Sequence, residues 1–526
     1  MPTVRDAALQ VLAAHGLTRM HANPGSTEVP LLAGLPEPFS LVLGLHEGTV
    51  VGVATGEALA TGRPALVLLH TTAGLGNAVG ALATARANRA PLVVLVGQQD
   101  RRHLESEPFL AGRLEGLAGD YPVAGHTPSR AADVPGLLAR AVHEAALRRG
   151  PVLVVVPMDD WSAAADGTVE LPAPRALLTS EGTDPDIVAD LVARIDAASS
   201  PVVVTGSTAD DPATWAALVR LVDALDCRVW QEAHASRAAF DHTSPQFAGH
   251  LPAARDQLRL ALRDHDLVVV VGGPAFRQYL HAEGRFVEPG TQVVVVVDDE
   301  HDALISACDL AVLAPLAATV DAVAQRVRRR DRAAHPARVL PAVPAPDGSG
   351  LRAEQVFAAL AERLPAESMY VEECPSTRRQ LLDLLPVRSP FGFTTPAMGG
   401  LGFALPAAAG IKLGRPDRPV VAVVGDGASL YNIQALWTAQ RYGAGVLYVV
   451  LSNGGYAVMD RLAAAAGSEP AWPRFEDVSI STLARGLGCA AQRIESYDDL
   501  LTVLDDVVPT LGARREPLVL DVAVAP

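Results

Sequence analysis

The stretch from Val420 to Tyr456 limits the possible folds of this chain more than any other. It opens on a short β-branched run, Val420 to Val424, and passes through Gly425-Asp426-Gly427. Apolar residues then recur at helical spacing between Ser429 and Tyr442 (Leu430, Ile433, Leu436, Trp437). A second apolar run, Val446 to Leu451, leads into Ser452-Asn453-Gly454-Gly455-Tyr456. Two short apolar runs around a helical stretch predict a buried parallel β-α-β unit. Such a unit puts the Asp426 carboxylate and the Asn453 amide at the carboxyl ends of its strands, where open parallel sheets bind ligands. Glycines on either side of Asp426 let the backbone turn sharply and approach a ligand closely. A carboxylate, a side-chain amide and a main-chain carbonyl are hard oxygen donors, which suit Mg²⁺ shared with phosphate oxygens.

The same alternation of strand and helix runs through the rest of the chain. In the first third, strands are expected at Leu17 to Ala22, Leu41 to His46, Ala65 to Leu69, Leu92 to Val96 and Pro151 to Pro157. Helices are expected at Val4 to Gly16, Gly48 to Thr61 and Gly74 to Ala87. Polar residues follow these strands: Ser26 in Asn23-Pro24-Gly25-Ser26, then Glu47, His70 and Gln98. The carboxyl ends of parallel strands share one edge, so these four groups are expected to converge. Each has a plainer explanation, as an N-cap, a helix-dipole partner or a core histidine. The coincidence of four favours a site.

A looser segment, Ser162 to Pro185, reads as a linker. Beyond it, strands are expected at Pro201 to Thr205, Cys227 to Gln231, Leu267 to Val271 and Gln292 to Val297. Asp331 to Gly350, rich in Ala and Pro, is a second linker, and Leu518 to Val524 is a closing strand. The expected organisation is α/β throughout, with three domains at 1–165, 186–330 and 351–526, each a parallel sheet flanked by helices. Two of the three sheets look weakly alike, with no short repeat.

Charge narrows the partners. A formal net charge of −16 argues against nucleic acid and anionic membrane, which need basic patches. The four cysteines, Cys227, Cys308, Cys374 and Cys489, have no zinc or disulfide spacing. No apolar run is long enough to span a bilayer and no signal peptide is visible, so a cytoplasmic protein is expected.

Taken together, these motifs resemble the thiamine-diphosphate-dependent 2-oxo-acid decarboxylases, and within them the benzoylformate decarboxylases. The resemblance runs from Asn23-Pro24-Gly25-Ser26, Leu45-His46-Glu47, Leu69-His70 and Gly74 to Ala78 through Gly97-Gln98-Gln99 to Gly399 to Pro406 and Gly425 to Asn453. It implies pyrimidine-binding, middle and diphosphate-binding domains, and a homodimer or homotetramer with sites between subunits. It implies Asp426, Asn453 and the Gly455 carbonyl as Mg²⁺ ligands. Gly425, Gly427, Ala428 and Ser429 would meet the diphosphate, with Asn77 and Tyr456 as further cofactor contacts. Glu47 would hydrogen-bond the aminopyrimidine ring, Gly399 its amino group, and Leu401 would prop the bent coenzyme. Ser26, His70 and His281 would bind substrate or move protons.

The implied reaction is non-oxidative: a 2-oxo acid, aromatic or branched, gives CO2 and an aldehyde by way of an ylid and an enamine on the coenzyme. The alternative within the resemblance is an acetolactate-synthase-like carboligase, which His70 disfavours because ligation needs no proton donor at that step. A serine hydrolase built on Ser26 lacks a Gly-x-Ser-x-Gly elbow. The chain departs from the resemblance in three places. Tyr279 stands where a second histidine is expected after Phe276-Arg277, and His281 follows two residues later. Thr395 and Leu462 stand in place of pocket phenylalanines and Val458 in place of alanine, which weakens the preference for a phenyl ring. Cys374-Pro375-Ser376-Thr377 also matches imperfectly.

Overall fold

The computed structural model describes residues 2–165, 177–180, 182–331, 335, 338–348 and 350–525. The linkers expected over 162–185 and 331–350 lie partly outside these residues. Three six-stranded, all-parallel sheets follow one another along the chain.

The first sheet contains β1 (Arg19–Ala22), β2 (Ser40–Leu43), β3 (Ala65–His70), β4 (Leu92–Gln98), β5 (Ala124–His126) and β6 (Pro151–Pro157), in the order β2-β1-β3-β4-β6-β5. The second contains β7 (Pro201–Thr205), β8 (Val229–Gln231), β9 (Phe247–His250), β10 (Leu267–Val271), β11 (Gln292–Val297) and β12 (Leu310–Leu313), in the order β12-β11-β10-β7-β8-β9. The third contains β13 (Met369–Glu373), β14 (Phe393–Thr394), β15 (Val420–Gly425), β16 (Leu447–Ser452), β17 (Ala490–Ile494) and β18 (Leu518–Ala523), in the order β14-β13-β15-β16-β18-β17. The first and third sheets therefore share one topology, and the middle sheet has another. Strands β4, β7, β10 and β13 are buried along their whole length, as strands covered by helices on both faces must be. The strands not foreseen are β5, β9, β12, β13, β14 and β17. All but β13 sit at sheet edges, where hydrophobic patterning is weakest.

The first and third domains are locked together by two helices, Glu47–Thr61 and Ala404–Gly414. A Cβ on Gly56 would lie 2.0 Å from the Ala407 carbonyl oxygen, and one on Gly410 would lie 1.9 Å from that of Val53. Only glycine permits this backbone-on-backbone crossing. Val50, Val53, Ala407, Ile411 and Val424 share one continuous apolar core across it.

Two expected elements are corrected by these contacts. Strand β2 ends at Leu43, not His46, because the third domain takes its last backbone groups. Tyr442 Oη accepts from Leu43 N at 2.8 Å, and Thr438 Oγ1 donates to Leu43 O at 3.1 Å. Glu47 thus begins a helix that His46 caps, rather than ending a strand. The single helix expected over Ser429 to Tyr442 is two, Asp426–Ser429 and Ala435–Arg441. Asn432 lies between them, and its side chain donates to Gly402 O and accepts from Thr49 Oγ1 of the first domain. Side-chain bonds of this kind compete with helix continuation.

Candidate active site

Two clusters form at the carboxyl ends of the first and third sheets. In the first, Glu47 is buried and its two carboxylate oxygens each accept one amide N–H. Asn23 Nδ2 lies 3.1 Å from Oε1 and Asn77 Nδ2 3.1 Å from Oε2. Asn23 follows β1 and Asn77 lies on the helix Thr71–Ala87, so three elements fix one carboxylate.

His70 ends β3 with little of its side chain exposed. Its Nδ1 lies 2.9 Å from Thr27 Oγ1 and 3.1 Å from Glu28 Oε2. Thr27 Oγ1 donates to Glu28 Oε1, and Gly25 N donates to Glu28 Oε2 at 2.8 Å. The carboxylate accepts only, so Nδ1 carries the proton and Nε2 is left to act. Thr27 and Glu28 were not foreseen. Their trace in the sequence is the pair of glycines around them. A Cβ on Gly25 would lie 2.3 Å from His70 Cγ, and one on Gly97 would lie 1.8 Å from Glu28 Oε1.

Two of the four expected convergent groups behave differently. Ser26 is exposed, without a hydrogen bond among the described residues. Gln98 is consumed by the loop after β4: Nε2 donates to Gly112 O at 2.6 Å, and Oε1 accepts from Gly112 N and Gln99 N.

In the third domain, Asp426 follows β15 and is buried. Oδ1 accepts from Gly427 N at 2.7 Å, and Oδ2 accepts from Asn453 N at 2.9 Å and Gly454 N at 2.7 Å. Burial raises its carboxyl above the ordinary range, against the pull of those donors. Asn453 Oδ1 accepts from Gly455 N at 3.1 Å.

Asp426, Asn453 and Gly455 line one cavity of about 350 Å³ together with Gly399, Leu401, Gly425, Gly427, Ala428 and Tyr456. Ser376 and Thr377, which were not foreseen as site residues, line it too. Ser429 is fully buried and its hydroxyl donates to Asp426 O at 2.7 Å, so it braces the turn. Among the described residues, no wall of this cavity comes from 2–165.

The donor set fits the expected coenzyme. Among the described residues no three His, Cys, Asp or Glu side chains gather as a metal centre. One carboxylate, one amide oxygen and one carbonyl at a glycine-rich strand end are instead a partial shell, of the kind completed by phosphate oxygens and water.

A wider cavity, about 910 Å³, opens on the same Gly399–Leu401 wall, between the middle and third domains. Tyr279 lines it. His281 does not: its side chain is 78% exposed and pairs with Glu283 on the surface.

Three sequence families cover the chain. The C-terminal TPP binding domain of thiamine pyrophosphate enzymes matches residues 376–522, the N-terminal TPP binding domain matches 2–117, and the central domain matches 188–323. The chain belongs to the thiamine pyrophosphate enzyme family. Within that family it is 36% identical, over 95% of both chains, to a benzoylformate decarboxylase of Pseudomonas aeruginosa. It superposes on a thiamine diphosphate-dependent 4-hydroxybenzoylformate decarboxylase of Rhodococcus jostii with a TM-score of 0.95. That match has 34% identity and covers 100% of this chain and 99% of the other. A putative acetolactate synthase large subunit of Mycobacterium tuberculosis is more distant, 28% identical over 99% of this chain and 98% of its own length. Among the described residues no helix is long and apolar enough to cross a membrane.

Proposed function

We propose that this chain is a thiamine-diphosphate- and Mg²⁺-dependent carboxy-lyase that converts a 2-oxo acid to CO2 and an aldehyde. The observation that carries the reading is the division of labour between two sheets of one topology. One presents a buried carboxylate and a histidine, the other a hard-oxygen cavity. When bound, the coenzyme supplies a carbon nucleophile and a sink for the electrons left as CO2 departs.

The chain's own groups do the rest. Asp426, Asn453 Oδ1 and the Gly455 carbonyl hold Mg²⁺, while Gly425, Gly427 and Ala428 line the diphosphate end. Gly399 and Leu401 would back the coenzyme from the cavity wall. Glu47, fixed by Asn23 and Asn77, holds a proton at the aminopyrimidine ring. Thr27 and Glu28 orient His70, whose Nε2 moves the proton that releases the aldehyde. Ser26 and Tyr279 contact the substrate at the rim.

In this reading the Glu47 and His70 cluster, which lies outside the Asp426 cavity, meets it from a partner subunit, in a cytoplasmic homodimer or homotetramer. The domains divide at 1–165, 186–330 and 351–526.

A panel of 2-oxo acids, with and without thiamine diphosphate and Mg²⁺, tests the reading. Coenzyme-dependent CO2 with an equivalent of aldehyde is expected. No CO2 from any member contradicts it, and a coupled hydroxyketone as main product would make the chain a carboligase.

A further inference from the structure

The wider cavity on the Gly399–Leu401 wall is lined by charged as well as apolar side chains. Three arginines line it: Arg277 from the middle domain, and Arg378 and Arg461 from the third. Arg378 is neutralised, because its Nη1 pairs with Glu372 Oε2 and donates to Thr395 Oγ1 at 2.8 Å. Arg461 donates Nη2 to Ser376 O at 2.8 Å and pairs with no carboxylate among the described residues. Arg277 likewise forms no ion pair among them.

The carboxylates nearby are engaged elsewhere. Glu373 accepts N–H groups from Gly402, Phe403 and Ala404. Asp302, which acts on Arg277 only through space, pairs with Arg89. Glu232 also faces Arg277, but burial pushes its carboxyl up to about 7, so it balances that charge incompletely at neutral pH. His301 lies on the same wall, as does His234.

Unmet polar atoms strengthen the point. Gln278 Nε2 and Oε1 and His234 Nε2 are buried without partners, and both residues line the cavity. Buried polar atoms in native proteins are rarely left so. Thr395 and Leu462, where aromatic rings were expected, offer no stacking partner.

We infer that the natural substrate is a 2-oxo acid whose side chain ends in a second anionic group, seated between Arg277 and Arg461 with Gln278 and His234 beside it. The inference rests on the decarboxylase reading and refines it. Two guanidinium groups without ion pairs in a partly enclosed cavity recognise a carboxylate, sulfonate or phosphonate. The reacting keto acid would face the Leu401 wall, where this cavity and the Asp426 cavity meet.

The test uses holoenzyme and matched pairs differing in the distal charge. The pairs are 4-carboxybenzoylformate against benzoylformate, and 2-oxoglutarate against 5-methyl-2-oxohexanoate. In at least one pair, kcat/KM should favour the charged member by about tenfold or more, and that preference should shrink with added salt. In Arg277→Met and Arg461→Met the preference should fall about tenfold. Neutral members preferred in both pairs would overturn the inference while leaving the decarboxylase reading intact. So would arginine variants that slow both members equally, because the arginines would then be holding the departing carboxylate.

Calorimetry with 2-hydroxyglutarate and 2-hydroxy-5-methylhexanoate decides the charge question even if no member is decarboxylated. Tighter binding of the dianion, lost in the arginine variants, supports the inference, and equal binding overturns it. Absence of CO2 throughout would count against the decarboxylase reading alone.

Discussion

The first and third sheets have the same strand order, and in both the polar groups gather beside the point where that order reverses, between β1 and β3 and between β13 and β15. Their chemistry differs. Beyond β1 and β3 the chain places titratable side chains: Glu47 between two amides, and His70 against Glu28. Beyond β15 and β16 it places a glycine-rich turn, with Asp426 tied to three backbone N–H groups and Asn453 close by. In the proposed reading, one topology serves opposite ends of one coenzyme. Fold alone does not say which end a sheet takes, and only the residues at the strand ends do.

Substitutions can break this contrast. The largest effect should come from Asp426→Ala, which removes the only carboxylate of the hard-oxygen set. Thiamine diphosphate and Mg²⁺ at about 100 times the wild-type Kd should stabilise the wild type by about 2.7 kcal/mol and the variant by almost nothing, read as a loss of the Tm rise.

Next should come His70→Ala, with kcat lower by about 10²–10⁴ and the coenzyme-induced Tm rise intact. Glu47→Gln should also keep the Tm rise and lose turnover. If either first-sheet variant abolished coenzyme binding, the division between the two sheets would be wrong. Glu28→Gln should cost less, about tenfold in kcat, because the imidazole loses the carboxylate that orients it.

The smallest effect, from the middle sheet, serves as a control. Burial pushes His242 down to about 3, so the folded protein holds it neutral while the unfolded chain protonates near 6.5. Stability from this group is complete above pH 6.5 and lost as pH falls toward 3, about 2 kcal/mol of it between 6.5 and 5. Denaturant midpoints of wild type and His242→Phe should converge on acidification, with or without coenzyme.

Much of the fold and part of the site are legible in the residues alone. β7, β10, β11 and β15 are dense β-branched runs, which seldom read as anything else, and Gly425-Asp426-Gly427 with Asn453 locates the cavity. What the sequence hides depends on contacts between distant segments. β2 stops at Leu43 because Tyr442 and Thr438 take its backbone groups, and no local pattern near Leu43 announces that. Thr27 and Glu28 follow Ser26 directly, yet they become partners of His70 only because β3 lies beside β1. His281 draws notice by residue type, whereas Tyr279 is the one on the cavity wall.

Mixing two inactive variants, Glu47→Gln and Asp426→Ala, tests most directly whether one site joins the first sheet of one subunit to the third of another. After co-refolding or co-expression, random pairing should restore roughly a quarter of wild-type CO2 release, because each hybrid dimer regains one intact site of two. Hybrid dimers that form, as native mass spectrometry would show, yet release no CO2 would mean that each site is built within a single chain.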